Sequence, residues 1–233
     1  MERRHLLIAG LASATALSVG TAATAQKAPD NWEGMVKVKA KRVDLLYLAP
    51  GADFRPYTKV MLDPTEVAFE KNWRRDYNNS SIELGARISE EELQKAITQG
   101  IKASSDIFEK AHVDGGYPVV TEPGADVLRV RTAVLNIRVN APERNTSSRN
   151  YAFAPEAGSA TLVVEVRDSM TNALMGRAID GRVAGDTMTG WRNRVTNRSD
   201  FRLLVQTWAK IGVEGINKLK AVSPVNAAGV TMK

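Results

Sequence analysis

The chain has 233 residues, 43% of them hydrophobic and 25% charged, and a net charge of +6 at pH 7. Those proportions suit a globular protein with a core and exclude collagen-like, coiled-coil and wholly disordered chains. Cysteine is absent and histidine occurs only at His5 and His112, which excludes disulfide frameworks, thiolate nucleophiles, iron–sulfur ligation and Cys- or His-rich metal sites.

At the N-terminus, Met1-Glu2-Arg3-Arg4-His5 precedes an apolar run from Leu6 to Gly20, and Ala23-Thr24-Ala25 follows. A short basic segment, an apolar stretch and an A-x-A site are the parts of a secretory signal peptide. Residues 1–25 are therefore expected to be removed by cleavage after Ala25. The alternative is a membrane anchor, but an apolar run of about 15 residues is short for a bilayer span of roughly 20. Arg3-Arg4 ahead of Leu6-Leu7 admits the twin-arginine route beside general secretion. Without Cys the usual bacterial lipid anchor has no attachment point. No later segment is apolar enough to span a membrane, so the expected location of the mature chain is the periplasm.

Residues 26–35 read as a flexible leader, 36–222 as one domain and 223–233 as a tail. From Val36, apolar Val36, Val38 and Ala40 alternate with Lys37, Lys39 and Lys41, the period of a half-buried strand. Val43 to Leu48 and Tyr57 to Leu62 read as further strands. Asp63-Pro64-Thr65-Glu66 carries helix-start signals, yet Val67 and Phe69 alternate like a strand, and an extended conformation is expected. Ser89 with Glu92 three residues on forms a capping box. It opens a helix whose apolar face runs from Leu93 through Ile97, Ile101 and Phe108 to a stop at Gly115-Gly116. Val127 to Val139 reads as a long strand with a phase shift near Thr132, a sign of a bulge or a centrally buried strand. Residues 141–159 read as a polar loop. Ala160 to Arg167 and Leu174 to Ala184 flank the turn-forming Asp168-Ser169-Met170-Thr171-Asn172 and predict a hairpin. A second helix is expected from near Ser199, with Phe201, Leu204, Val205, Trp208, Ile211, Ile216 and Leu219 on one stripe. Gly212 and Gly215 lie on the same stripe and predict a close approach to a neighbour. The fold class is α+β: a mainly antiparallel sheet packed on one face by two amphipathic helices.

Three stretches resemble a bacterial family of envelope lipoprotein-like proteins, domain of unknown function three-three-one-three. They are Tyr57-Thr58-Lys59-Val60-Met61-Leu62-Asp63-Pro64 (with Trp73), Pro123-Gly124-Ala125-Asp126-Val127-Leu128-Arg129-Val130, and Glu165-Val166-Arg167-Asp168-Ser169-Met170-Thr171-Asn172. The resemblance implies an exported protein with no established activity. This chain departs from it in lacking the lipidation Cys, and in carrying Asn172 where a turn Gly is common. Asn also tolerates positive φ.

No residue pattern points to catalysis, a cofactor or a metal. His112, near the end of the first helix, is expected to play a structural part there as a cation suited to the helix dipole. Asp63 and Glu66 read as turn or cap residues, and Asp44, Asp126 and Asp168 as turn residues. Trp191, Arg192, Arg194, Arg198 and Arg202 form a basic run with one aromatic at the start of the second helix. Arg202 in a first turn would favour an anion nearby; Asp200 beside it is the first reading of that anion, and the alternative is that the run contacts an anionic lipid or lipopolysaccharide surface. A basic balance can also signal nucleic-acid binding, which export argues against. The expected function is a non-catalytic periplasmic binding or envelope-assembly module whose partners are envelope proteins or that surface. The alternatives are a cofactor-free hydrolase using Asp/Glu acid–base chemistry and a small-molecule carrier with an apolar pocket between sheet and helices.

Overall fold

The structure is a computed structural model. It describes residues 28–80, 87–140, 152–154, 156–185, 190–192 and 194–226, with backbone alone for 152–154, 190–192 and 194–196. Ala25 and the rest of the expected signal segment lie outside the described residues, as do 141–151 of the expected loop.

In chain order the strands are β1 (Asn31–Trp32), β2 (Met35–Val38), β3 (Leu45–Leu48), β4 (Lys59–Leu62) and β5 (Glu66–Phe69). Helices α1 (Trp73–Ser80) and α2 (Glu90–Asp114) follow, then β6 (Val127–Val139), β7 (Ala152–Ala154), β8 (Gly158–Asp168), β9 (Leu174–Ala184), β10 (Gly190–Arg192) and α3 (Arg194–Val222). Eight strands form one sheet in the order β1-β2-β3-β9-β8-β6-β4, with β5 pairing a second stretch of β6. Every pairing in it is antiparallel except those of β4 and β5 with β6. Strands β7 and β10 make a separate two-stranded ribbon. The sheet turns one face to α2 and α3, so the α+β architecture read from the sequence is the one that forms.

That inner face is continuous in register. Leu48 and Gly176, Leu46 and Ala178, Ala178 and Val164, and Val164 and Thr132 lie opposite one another across β3, β9, β8 and β6. Leu128, Val130, Thr132 and Val134 of β6 all point inward and are buried. The apolar phase therefore does not change at Thr132. Its hydroxyl is buried because it meets the Thr65 hydroxyl at 2.8 Å, and a hydrogen-bonded pair removes the cost of hiding both. The irregularity comes later, between Leu135 and Arg138, where Asn136 takes a φ of 51° and Ile137 returns to the core.

The capping box at Ser89 is present in full, with Glu92 N donating to Ser89 Oγ at 3.1 Å and Ser89 N donating to Glu92 Oε2 at 2.8 Å. Three features depart from the sequence reading. Helix α1 forms where none was expected: Trp73 is buried against Phe69, with ring centroids 4.7 Å apart, and this packing holds a polar segment helical. The segment read as a leader contributes β1 and the first residue of β2; Trp32 packs edge-on against Tyr47 at 5.5 Å. The segment read as a tail begins inside the fold, for Val225 is buried and exchanges backbone hydrogen bonds with Gly51 and Ala52.

Candidate binding site

The outer face of the sheet carries the alternate residues of the same strands. Arg129 and Arg131 on β6, Glu165 and Arg167 on β8, and Arg177 on β9 form a lattice of opposite charges. Asp63 receives Arg129 at 2.9 and 3.0 Å and Arg131 at 3.2 Å. Glu165 receives Arg167 at 2.8 Å and Arg177 at 2.6 Å. Burial pushes the Glu165 carboxyl up, but hydrogen bonds from the two arginines outweigh it and hold the group below the usual carboxylate range. Arg177 is itself buried, 4.2 Å from the Trp32 ring. Its Nη1 has no hydrogen-bond partner, and the cation–π contact offsets part of that cost. Asp63 and Glu66 are thus ion-pair partners of β6 and not helix caps; the segment between them runs extended into β5.

The three stretches that carry the family resemblance meet at one corner of this sheet. Tyr57 donates to Asp168 Oδ2 at 2.8 Å, and Ser169 Oγ both accepts from Gly124 N and donates to its carbonyl, at 3.1 and 2.9 Å. Asp168 also takes three donors from Met170 and Thr171, which shapes the β8–β9 turn. Burial raises its carboxyl, but those bonds and the one from Tyr57 hold it below the ordinary value. Asn172 occupies the positive-φ position of the turn, at 59°. These contacts build structure, and each carboxylate among them has a donor.

His112 is buried and bonds the Phe108 carbonyl through Nδ1 at 2.7 Å. Burial lowers its affinity for a proton. It is therefore a neutral donor packed in the helix layer, not the cation expected from its place near the helix end.

Between the inner face and α3 lie two adjoining recesses, with Lys41, Arg42 and Val43 common to both. The larger is an open groove of about 590 Å³ between residues 41–44, the second half of β9 and α3 near Asp200 and Leu203. Its floor is a braced carboxylate. Asp180 Oδ2 accepts from Trp208 Nε1 at 2.7 Å and Arg182 Nε at 2.5 Å, while Asp180 Oδ1 accepts from Asp44 N at 3.2 Å. Asp44 Oδ2 in turn accepts from Gly181 N at 2.8 Å. The smaller recess is an apolar cavity of about 120 Å³ beneath α3. Gly212 and Gly215 border it, and a Cβ built on either meets nothing within 4 Å. They do not produce the close approach their sequence positions suggested. The close contact falls at Gly115, where a Cβ would stand 2.3 Å from Val213 Cγ1.

The basic run is arranged differently from its expected form. Trp191 and Arg192 belong to β10, opposite Phe153 and Ala152 of β7. Helix α3 starts at Arg194 and not near Ser199, so Arg202 lies in its third turn, beyond the reach of the N-terminal partial charge. Arg198 and Arg202 are exposed and four residues apart on one helical face. The sequence reading offered an apolar pocket between sheet and helices as an alternative but assigned it no residues, and it missed the polar groove beside it. Their one signal was a pair of glycines centred on an apolar helical stripe, which periodicity cannot distinguish from a tight helix contact.

Among the described residues, no group of three or more His, Asp or Glu side chains is placed to hold a metal ion, and no helix is long and apolar enough to cross a membrane. No functionally curated protein matches the chain. Similar solved structures include the PelC dodecamer from Paraburkholderia phytofirmans (12% identity, 73% of this chain and 95% of that one, TM-score 0.37). Another is a minor lipoprotein from Acinetobacter baumannii (11%, 70% and 94%, 0.30). A third is a DUF4136 family protein from Bacteroides thetaiotaomicron (10%, 82% and 97%, 0.32). At the level of sequence the match is specific and long: residues 24–211 fit the profile of DUF3313, a protein of unknown function, and the chain belongs to that family.

Proposed function

We propose that the protein is an exported, non-catalytic binding module of the periplasm or cell envelope. The observation that carries this reading is the pair of adjoining recesses beneath α3, one polar and one apolar. Their nearby charges are already engaged in holding the fold: Asp180 by Trp208 and Arg182, and Arg42 by Glu214. A recess whose apolar wall is built and whose charged groups are braced is suited to hold a ligand. The N-terminal segment ending at Ala25 supports export, and the basic run from Trp191 through Arg192, Arg194 and Arg198 to Arg202 supplies a contact for an anionic envelope surface.

The test joins fractionation to chemistry. The full chain, expressed in a Gram-negative host, is expected in the periplasmic fraction with Gln26 as its first residue. Cross-linking in intact cells is expected to recover an envelope partner. Full-length protein retaining Met1 in a membrane fraction would overturn the cleaved-export reading. Turnover of an envelope substrate that is lost on Asp44→Asn or Asp180→Asn would replace the binding module with a carboxylate hydrolase, because those carboxylates line the groove.

A further inference from the structure

Strand β9 is paired on both sides only along its first half. Its ladder to β3 ends at Leu45 and Ile179, whereas its ladder to β8 continues to Ala184. From Asp180 to Ala184, one edge of β9 therefore has no strand beside it among the described residues. Main-chain groups of successive residues point to opposite sides of a strand. The Ala184 carbonyl faces β8 and accepts from Ala157 N at 2.8 Å. Gly181 N faces the other way and, in place of a backbone carbonyl, meets Asp44 Oδ2 at 2.8 Å. Val183 has the parity of Gly181, so its N–H and C=O turn to the open edge. Both residues line the groove of about 590 Å³.

The groove suits a chain in extended form. Residues 181–185 offer roughly 13 Å of edge at about 3.3 Å per residue, and the volume lies within the range of about 300–1,000 Å³ usual for binding sites. The opposite wall is α3, where Leu203 is 58% exposed. On β9 the charged side chains at the groove are engaged: Arg182 bonds Asp180 and the Arg42 carbonyl. The main chain is left as that strand's means of recognition. Gly181 is not required by its own packing, for its φ is not positive and a Cβ would meet only Asp44 Oδ2, at an ordinary 3.6 Å. Glycine inside a strand weakens it and often marks the close approach of another backbone. Neither Pro nor Lys, which commonly blunt an open edge, occurs from 180 to 185.

We infer that the groove takes an extended segment of a partner protein as an added strand on β9. The segment bonds the main chain of Val183 and the Gly181 carbonyl, and its alternate apolar side chains lie against Leu203. The inference rests on the binding-module reading and names its partner class. The full chain, isotope-labelled, is titrated with acetyl-Thr-Val-Thr-Val-Thr-amide and followed by amide NMR and hydrogen exchange. In the free chain the Val183 amide is expected to exchange faster than those of Arg182 and Ala184, which face β8. It becomes protected as the peptide saturates, and the fully N-methylated peptide, which has no main-chain donors, does not bind. Val183→Pro removes the edge donor at a position where an edge strand tolerates proline, and lowers peptide affinity by about tenfold or more. If that variant does not fold, Leu203→Asp, a change at an exposed position, lowers affinity by roughly threefold or more and leaves the fast exchange of Val183 in the free chain unchanged. A Val183 amide already protected in the free chain, equal binding of the methylated peptide, or equal binding by wild type and the folded variant overturns the inference. So does a dimer that Val183→Pro dissolves, since the added strand would then come from a second copy. A chain that ignores the peptide yet still captures an envelope partner in cells sinks this inference alone and leaves the binding-module reading in place.

Discussion

The indole Nε1 of Trp208 donates to Asp180 Oδ2 at 2.7 Å, and both residues are almost wholly buried. One bond thus ties the middle of α3 to the centre of β9 and stands where the polar groove meets the apolar cavity. A buried carboxylate is tolerated only when its oxygens are supplied with donors, and here they come from α3, β9 and the segment before β3.

Trp208→Phe keeps the ring but withdraws the donor. Asp180 then loses one of its charge-assisted bonds, and the smaller ring leaves space beside Leu204 and Ala209. The expected cost is about 2–3 kcal/mol, which is a fall in Tm of roughly 5–10 °C for a domain of this size. Chemical denaturation of Trp208→Phe, Asp180→Asn and the double variant checks it. A double variant that costs the sum of the two singles would mean the bond contributes nothing.

The glycines give a prediction with opposite signs in two helices. Gly115→Ala forces a Cβ to within 2.3 Å of Val213 Cγ1 unless the helices shift; overpacking of this kind costs about 1–3 kcal/mol. Gly212→Ala meets nothing within 4 Å and gains up to about 1 kcal/mol of helix propensity. Thermal melts of the two variants should therefore move in opposite directions from wild type. A Gly212→Ala protein that melts well below wild type would mean that α3 has no space there.

His112 makes stability depend on pH. Burial lowers its pKa below the ordinary 6.5, so from neutral pH downward the unfolded chain takes up a proton that the folded chain resists. Stability is unaffected by this residue above about pH 7, declines as pH falls through 6.5 by at most about 1.4 kcal/mol per pH unit, and levels off once the folded histidine is itself protonated. Urea unfolding between pH 8 and 5 for wild type and His112→Gln isolates the effect, since all other groups cancel in the difference. Parallel curves for the two proteins would show that His112 is not the neutral, buried group described.

Much of this fold was legible in the sequence because local and tertiary demands agree. Ser89 and Glu92 cap a helix whose apolar face runs on to Phe108, and the alternation of β8 and β9 around Asp168 matches their pairing. The reading failed where a residue's environment depends on distant partners. Thr132 looks like a surface residue until Thr65, 67 positions away, satisfies its hydroxyl. Arg177 looks solvated until Trp32 and Glu165 cover it. Gly212 is ambiguous on any helical wheel, because periodicity gives the direction a position faces but not the distance to what it faces. An apolar pocket between sheet and helices could be named from the sequence as an alternative, but the residues that line it beneath α3 could not be read from patterning.

Binding to anionic surfaces is the remaining prediction, and the geometry alters its basis. With α3 starting at Arg194, neither Arg198 nor Arg202 lies in its first turn, so helix-terminal partial charge adds little and attraction must come from the side-chain charges themselves. Arg198 and Arg202 share one exposed face, and paired arginines near an anionic bilayer contribute about 1 kcal/mol each. Co-sedimentation of the full chain with vesicles of phosphatidylglycerol and phosphatidylethanolamine should therefore fall by roughly tenfold or more in affinity for Arg198→Ala/Arg202→Ala. It should also weaken steeply between low and physiological salt, where screening acts over about 8 Å. Equal vesicle binding by both proteins, or binding insensitive to salt, would remove this face of α3 as the contact.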